Sequence, residues 1–556
     1  MTSNIRTGGQ ILADALLTHG VDTIFCVPGE SYIATLDALF DVSDRIRVVT
    51  CRQEGGAAYM AEAYGKLTGR PGICFVTRGP GATNASVGIH TARQDSSPVI
   101  LFVGQVARGM AEREAFQEID FRRMMGELAK WTGQIDDPAR IPEYVNRAFR
   151  TATSGRAGPV VLALPEDMQT DRAETEDGAG YEEVQASPAF WDMERLRDML
   201  SGAERPVVLA GGSGWTQDAC DNLRAFAEAS DLPVAVGFRR QDLLDNRHPA
   251  YVGVVGLGAN PALARAIGDA DLLLVAGAQL GEVITQGYSL LALPKPRQRL
   301  IHAHPGIDEL GKVYQPDLAI NAGMAEFAAA LAALEPIADP PWAERRAAMR
   351  AAYEAFAEPT DMPGTLDLAQ AVRHLEGVLP EDAIVASGAG NFSQWLHRFH
   401  RYRGFRTQLS PQSGSMGYGV PAGVAAALLH PDRAVVAWCG DGDFLMNGQE
   451  VATAAAQRLR NLTFLVVENG SYGTIRMHQE RHYPGRVIAT DLANPDFAML
   501  ARAYGLHGET VTRTEDFPDA FERAREADAP ALIELRIDPD AILPGATIAG
   551  IRAASG

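Results

Sequence analysis

Gly440-Asp441-Gly442-Asp443-Phe444 follows the apolar run Ala434-Val435-Val436-Ala437-Trp438-Cys439, which reads as a buried strand. A second run, Leu462-Thr463-Phe464-Leu465-Val466-Val467, ends on Glu468-Asn469-Gly470. The stretch between them, from Phe444 to Leu459, reads as a crossover helix, and a right-handed crossover sets the ends of two parallel strands side by side. Asp441 and Asn469 then offer two hard oxygen ligands to one Mg2+-type cation, which prefers a few protein oxygens together with phosphates. Gly442 lets the backbone approach those phosphates, and amides at the following helix start can donate to them. A metal-bridged diphosphate is the implied ligand. The bland reading of the same residues is an ordinary strand–helix–strand unit with a glycine turn.

The elements that must position this site are spread over 556 residues, too many for one core, and three domains are expected. Apolar residues make up 46% and charged residues 22%, an ordinary balance for a globular protein. A formal charge of −20 argues against nucleic acid or an anionic membrane as partner. The cysteines Cys26, Cys51, Cys74, Cys220 and Cys439 form no metal-type or redox-type pair and read as reduced core residues of a cytoplasmic protein. No signal-like segment opens the chain and no uninterrupted 18-residue apolar stretch occurs, so a soluble intracellular protein is expected.

Strands at Thr23–Val27, Gly72–Thr77, Pro98–Val103 and Pro159–Leu164 alternate with amphipathic helices in a first block, 1–170. The stretch from Glu166 to about Ser187 reads as an acidic linker. Strands at Pro206–Ala210, Pro233–Val236, Leu272–Ala276 and Arg299–His302 mark a second block, 188–335. A proline-rich connection with a helix around Trp342–Phe356 leads to the third, 364–540, with strands at Ala383–Ala386, Ala434–Trp438, Leu462–Val467 and Ala531–Ile537. The fold class expected is α/β, with three doubly wound parallel sheets covered on both faces.

Arg52-Gln53-Glu54-Gly55-Gly56-Ala57-Ala58 places Glu54 near a helix start, after the strand Val48–Cys51. A carboxylate there can serve the helix dipole or act as a buried acid/base, and the segment alone leaves both open. Several further segments appear in a fixed order: Val27-Pro28-Gly29-Glu30, Ala61-Glu62-Ala63-Tyr64-Gly65, Gly79-Pro80-Gly81-Ala82-Thr83-Asn84, Ala115-Phe116-Gln117-Glu118, Lys130-Trp131 and Gly414-Ser415-Met416-Gly417-Tyr418-Gly419. Together with Gly440-Asp441-Gly442 and Asn469, this series resembles the thiamine-diphosphate-dependent enzymes of the acetolactate-synthase-like (large subunit) family over essentially the whole length.

The resemblance implies that the first block binds the cofactor's pyrimidine, the third its diphosphate, and that the middle block is a related non-catalytic domain. Glu54 matches the glutamate that bonds the pyrimidine N1′ and promotes the imino tautomer, whose nitrogen takes the thiazolium C2 proton. Met416 matches the apolar residue beneath the cofactor, a role compatible with plain core filling, and the Gly414 carbonyl matches the acceptor for the 4′-amino group. Asp441, Asn469 and the Ser471 carbonyl match the Mg2+ ligands. Pro28 and Gly29 match cofactor-binding positions of the first block. Gly390, Asn391, Phe392, Gly440, Gly442, Asp443, Tyr472 and Gly473 match the surroundings of the diphosphate. Gln117 matches a donor to a developing oxyanion, beside the alternative of a solvated loop residue. Arg78 stands where a substrate carboxylate could be met, beside the alternative of a surface arginine. His478 and His482 stand where members vary the acceptor pocket, as acid/base or as packing.

The chain also departs from the family pattern. Glu468 replaces the first of the usual asparagine pair, Arg78 replaces a serine, and His478 replaces a tryptophan. Gly277-Ala278-Gln279-Leu280-Gly281-Glu282 lacks the arginine and paired acids of flavin-binding members, which argues against FAD. The expected reaction is decarboxylation of a 2-oxo acid with carboligation of the enamine to a second carbonyl. The alternatives are a non-ligating decarboxylase, a 2-hydroxyacyl-CoA lyase, and a non-catalytic protein of the same fold. A nicotinamide oxidoreductase fails for want of a Gly-x-Gly-x-x-Gly fingerprint. A homodimer or homotetramer is expected, since the family places the cofactor between the first block of one subunit and the third block of another.

Overall fold

The three strand–helix blocks become three six-stranded sheets, all of their neighbouring strands parallel, in the computed structural model, which describes residues 5–555. Strands such as Gly72–Val76, Val99–Gln105 and Pro159–Pro165 are buried at every position. That is the pattern of a sheet with helices on both faces. The first sheet runs in space Arg47–Thr50, Thr23–Cys26, Gly72–Val76, Val99–Gln105, Pro159–Pro165, Trp131–Gln134. The last runs Gln408–Leu409, Ile384–Ser387, Val435–Gly440, Leu462–Glu468, Ala531–Arg536, His507–Val511. Both wind in the same order. The central sheet differs and runs Tyr251–Val255, Val234–Gly237, Pro206–Ala210, Leu272–Ala276, Arg299–His304, Leu318–Asn321.

In each sheet the first reversal of the chain's winding direction marks a switch point, and the strand ends there leave a crevice where ligands bind. In the first sheet it lies between Thr23–Cys26 and Gly72–Val76. In the last it lies between Ile384–Ser387 and Val435–Gly440. In the central sheet the corresponding ends are closed by glycine backbone. Gly212 and Gly277 both have left-handed φ, at 71° and 75°, and the Gly211 amide donates to the Ala276 carbonyl at 2.9 Å.

The chain divides into two compact units. The first comprises residues up to Val184 together with Gly417–His430 and Leu445–Leu459. Its centre is the helix Glu54–Thr68, packed against the helices Gly79–Asp95 and Gly419–Leu429. Gly419–Leu429 is buried almost all round, which only a helix enclosed by other elements tolerates. A polar cluster sits in this interior. Lys66 Nζ bridges Glu62 at 2.9 Å and Asp95 at 2.6 Å, while the Tyr418 hydroxyl and Ser97 Oγ donate to Glu62 at 2.6 and 2.7 Å. Burial alone would make these charges very costly, and their mutual pairing is what allows them inside.

The second unit holds the central and last sheets, as Gln185–Met416, Pro431–Phe444 and Arg460 onward. Trp342, fully buried, donates its indole N–H to the Ser230 carbonyl at 3.0 Å, and the helix Ala343–Phe356 that follows packs on Tyr251–Val255. All five cysteines are free and buried, and burial pushes their thiols upward, that of Cys26 to about 11. Among the described residues no helix is long and apolar enough to cross a membrane.

Two expectations are revised. The stretch after Pro165 is not uniformly a linker. Glu166–Thr170 is a short helix whose Gln169 is buried and donates to the carbonyls of Ser31 and Leu164, and Arg172–Glu174 pairs antiparallel with Ile5–Thr7. The crossover expected over Phe444–Leu459 is not one helix but a series of short ones, Asp441–Asn447, Gly448–Glu450 and Val451–Ala456. The edge strands Trp131–Gln134, Gln408–Leu409 and His507–Val511 lack an apolar run, because an edge position needs less burial or extends only two residues.

His302 and His400 are buried, and burial first, then the charges of His304 and Arg403 respectively, hold both near 4. Both rings stay neutral in the folded protein while the unfolded chain takes up protons below 6.5. Stability is therefore full above that value and falls as pH drops toward 4. Replacing His400 with Phe should shrink the difference in urea-unfolding free energy between pH 7 and pH 5 by about 2 kcal/mol. An unchanged difference would show that the ring is not held neutral.

Candidate functional site

At the switch point of the last sheet, strand pairing sets Gly440 opposite Val467, so Asp441 and Asn469 emerge together. Asp441 is 4% exposed and its carboxylate is ringed by donors. Oδ1 accepts from the Gly442 amide at 2.8 Å. Oδ2 accepts from Gly470 N at 2.8 Å, Asn469 N at 3.3 Å and the Asn494 side chain at 2.8 Å. Burial pushes this carboxyl up, and the surrounding N–H groups pull it back. Asn469 Oδ1 accepts from the Ser471 amide at 3.0 Å. Among the described residues no group of three His, Cys, Asp or Glu side chains could hold a metal. The donor set here is instead mixed: a carboxylate, a carboxamide and a peptide carbonyl. That composition suits Mg2+ carrying part of its shell from phosphate or water.

These groups open onto a cavity of about 340 Å³. Its walls include every residue expected around the cofactor's diphosphate half: Gly390, Asn391, Phe392, Gly414, Met416, Gly440, Asp441, Gly442, Asp443, Asn469, Ser471, Tyr472 and Gly473. A Cβ on Gly442 would come within 2.6 Å of the Tyr472 ring, and one on Gly440 within 2.5 Å of the Phe392 ring. Only glycine keeps this cradle open. The turn after Ile384–Ser387 is held by Ala389 N donating to Asp443 Oδ1 at 3.2 Å and by Asn391 N donating to Thr474 Oγ1 at 3.0 Å. The room, the amide-rich walls and the oxygen donors fit a Mg2+-bridged diphosphate.

The remaining expected residues of the first unit gather at the carboxyl ends of its own sheet. Glu54 is the first residue of the helix Glu54–Thr68, and the Gln53 side chain caps it by accepting from the amides of Gly55 and Gly56. Asn84 donates to Glu54 Oε2 at 2.9 Å, and a Cβ on Gly81 would lie 3.3 Å from Oε1. Pro28 and Gly29 follow Thr23–Cys26, with Gly29 pressed on Thr77. Gln117 adopts a left-handed φ of 65°, and its carbonyl accepts from Gly79 N at 3.0 Å. Arg78 is buried rather than on the surface, paired with Glu166 at 2.5 Å and Glu30 at 3.6 Å. His478 and His482 lie in the second unit, on the helix Gly473–His482, with rings stacked 6.3 Å apart. Neither is among the residues lining the cavity.

Two positions in these shells escaped the sequence reading. Asn494, in the segment Ala493-Asn494-Pro495, bridges Asp441 and Glu468, reaching Glu468 Oε1 at 3.4 Å. Its distance along the chain from either partner gives no signal. Glu450, fully buried, accepts from the amides of Arg52 and Gln53 at 2.9 and 3.0 Å and so fixes the residues directly before Glu54.

Three family models match along the chain. They are described as the thiamine pyrophosphate enzyme N-terminal TPP binding domain over residues 6–124, the central domain over 193–331 and the C-terminal TPP binding domain over 388–535. The acetolactate synthase isozyme 2 large subunit of Escherichia coli is 31% identical over 536 residues, covering 96% of this chain and 95% of that protein. The acetolactate synthase large subunit of Parasynechococcus marenigrum is 32% identical, covering 96% and 87%. The probable acetolactate synthase large subunit of Methanocaldococcus jannaschii is 30% identical, covering 97% and 93%.

Removing the Asn494 amide by Asn494→Ala should leave Asp441 Oδ2 short of one donor and misdirect the carboxylate. The Mg2+ concentration needed for half-maximal thermal stabilisation with thiamine diphosphate should rise about tenfold or more. An unchanged Mg2+ requirement would show that Asn494 does not orient Asp441.

Proposed function

We propose, for a chain that belongs to the acetolactate synthase-like family of thiamine-diphosphate-dependent enzymes, that it decarboxylates a 2-oxo acid and joins the remaining fragment to a second carbonyl compound, with Mg2+ holding the diphosphate of its cofactor. The observation carrying this reading is the convergence of every residue assigned to the diphosphate half on one glycine-walled cavity at a sheet switch point. Thiamine diphosphate, when bound, supplies a carbon nucleophile that adds to a carbonyl and an electron sink for the pair released with CO2.

The chain's own residues do the rest. Asp441, Asn469 and the Ser471 carbonyl would hold the cation. Gly390, Asn391, Phe392, Gly440, Gly442, Asp443, Tyr472 and Gly473 would enclose the phosphates, and Met416 and the Gly414 carbonyl would support the rings. Pro28 and Gly29 would help hold the pyrimidine end. Glu54, capped in place by Gln53 and accepting a hydrogen bond from Asn84, would hold and return the proton at the pyrimidine nitrogen. Gln117 would donate to the oxygen on which negative charge develops. Arg78, held by Glu166 and Glu30, would act by shaping the entrance and its charge. The departures at Arg78, Glu468 and His478 support a donor–acceptor pair other than that of biosynthetic acetolactate synthesis. A homodimer is the smallest assembly this reading requires, and the five reduced cysteines support the cytoplasm as its compartment.

Pyruvate supplied alone and with an added aldehyde, followed by analysis of CO2 and products, should give a coupled 2-hydroxy ketone or acid. Aldehyde release without coupling would point to a simple decarboxylase. The absence of both CO2 and a coupled product with every 2-oxo acid tested would overturn the proposal. Glu54→Gln should lower turnover by at least about a hundredfold while thiamine diphosphate binding by calorimetry stays intact. Retained turnover would remove Glu54 from the role assigned to it.

A further inference from the structure

We propose that Arg239, a side chain of the central block, is a cofactor-binding residue that supplies positive charge to the diphosphate cavity and clamps the two loops forming its walls. The inference rests on the cofactor reading above and extends it to a part of the chain that the family pattern treats as non-catalytic. Among the described residues lining the cavity, the charged side chains are Asp441, Asp443 and Arg239. A diphosphate entering between two carboxylates needs more than one divalent cation to offset the charge. This guanidinium is the cationic side chain in that wall.

Its geometry is built rather than incidental. Arg239 is 4% exposed and follows the carboxyl end of the strand Val234–Gly237. Its backbone has a left-handed φ of 60°, a conformation that a bulky residue keeps only where its surroundings enforce it. Nη1 donates to the Pro411 carbonyl. Nη2 donates to the Gly388 carbonyl at 3.0 Å and reaches Ser393 Oγ at 3.5 Å. Ser393 lines the cavity, and Gly388 and Pro411 lead into segments that do. Gly388 begins the turn that presents Gly390, Asn391 and Phe392, and Ser393 Oγ itself donates to the Gly390 carbonyl at 2.8 Å. Pro411 accepts from the Gly414 amide at 3.0 Å, so the same guanidinium steadies the loop leading to Met416. A planar fork with several N–H groups can grip two carbonyls at once while its charge faces the cavity. A lysine ammonium in its place would keep the charge and lose the fork.

The test is calorimetric titration of wild type, Arg239→Met, Arg239→Gln and Arg239→Lys with three probes: thiamine diphosphate with Mg2+, inorganic pyrophosphate with Mg2+, and thiamine. Arg239→Met and Arg239→Gln should bind both diphosphate probes on the order of tenfold more weakly, with thiamine affinity changed by less than about threefold. Arg239→Lys should retain most of the preference for the diphosphate probes. If Arg239→Met does not fold, Arg239→Gln and Arg239→Lys decide, because Gln keeps a donor without charge and Lys keeps the charge. Equal loss for all three probes, or wild-type affinity for the diphosphate probes in a folded neutral variant, would overturn the proposal. Failure of the wild type to bind thiamine diphosphate would instead defeat the cofactor reading, leaving a result distinguishable from failure at Arg239.

Discussion

A buried carboxylate at the mouth of a parallel sheet is stable only where N–H groups surround it, and Asp441 is held in that way. Three backbone amides and the Asn494 carboxamide converge on its two oxygens. The donors come from three pieces of the cavity's framework: the helix start after Val435–Gly440, the turn after Leu462–Glu468, which supplies two of them, and the segment that returns at Asn494. Fixing the carboxylate therefore fixes the relative positions of these segments. The glycines at 440 and 442 then leave space where a side chain would have filled it. Desolvation of a polar group offset by well-aimed dipoles is the common way to prepare a site for a charged ligand before it arrives.

The first unit obeys the same logic with the roles exchanged. There the buried acids are structural, and they aim a helix. Glu450 takes up the free amides of Arg52 and Gln53, Gln53 takes up those of Gly55 and Gly56, and Glu54 is left at the helix start with its carboxylate directed to Asn84. Further along the same helix, Glu62 and Lys66 lock it to Asp95 and to Tyr418. The first and last sheets wind alike and place their expected site residues at equivalent strand ends. The central sheet winds differently, and its own switch point is closed by glycine backbone.

Central strands were legible because a strand buried on both faces must be apolar throughout. Leu272–Ala276 and Pro206–Ala210 match the expected spans, and Leu462–Glu468 is longer by one residue. Edge strands were not legible: Trp131–Gln134 and His507–Val511 are partly exposed and carry mixed residues, and Gln408–Leu409 is too short to form a pattern. The stretch after Pro165 looked like a linker because its composition is acidic, yet Gln169 satisfies its amide on buried carbonyls that local sequence cannot reveal. The residues that line the cavity beside Asp441 could be grouped from the sequence because they sit next to strand ends and come in short motifs. Asn494, Glu450 and Arg239 could not, because each reaches its partners from a remote segment.

The sequence by itself determined the α/β alternation, the order of the blocks, the metal-type oxygen pair and the family likeness, because periodicity and local motifs are properties of consecutive residues. Only the tertiary structure decided which polar groups close around Asp441, what holds Glu54 at its helix start, and that a central-block arginine lines the cavity beside Asp441. The physical reason is that hydrogen bonds and charge compensation act over a few ångströms of space. They are indifferent to the hundreds of residues that can separate their partners along the chain.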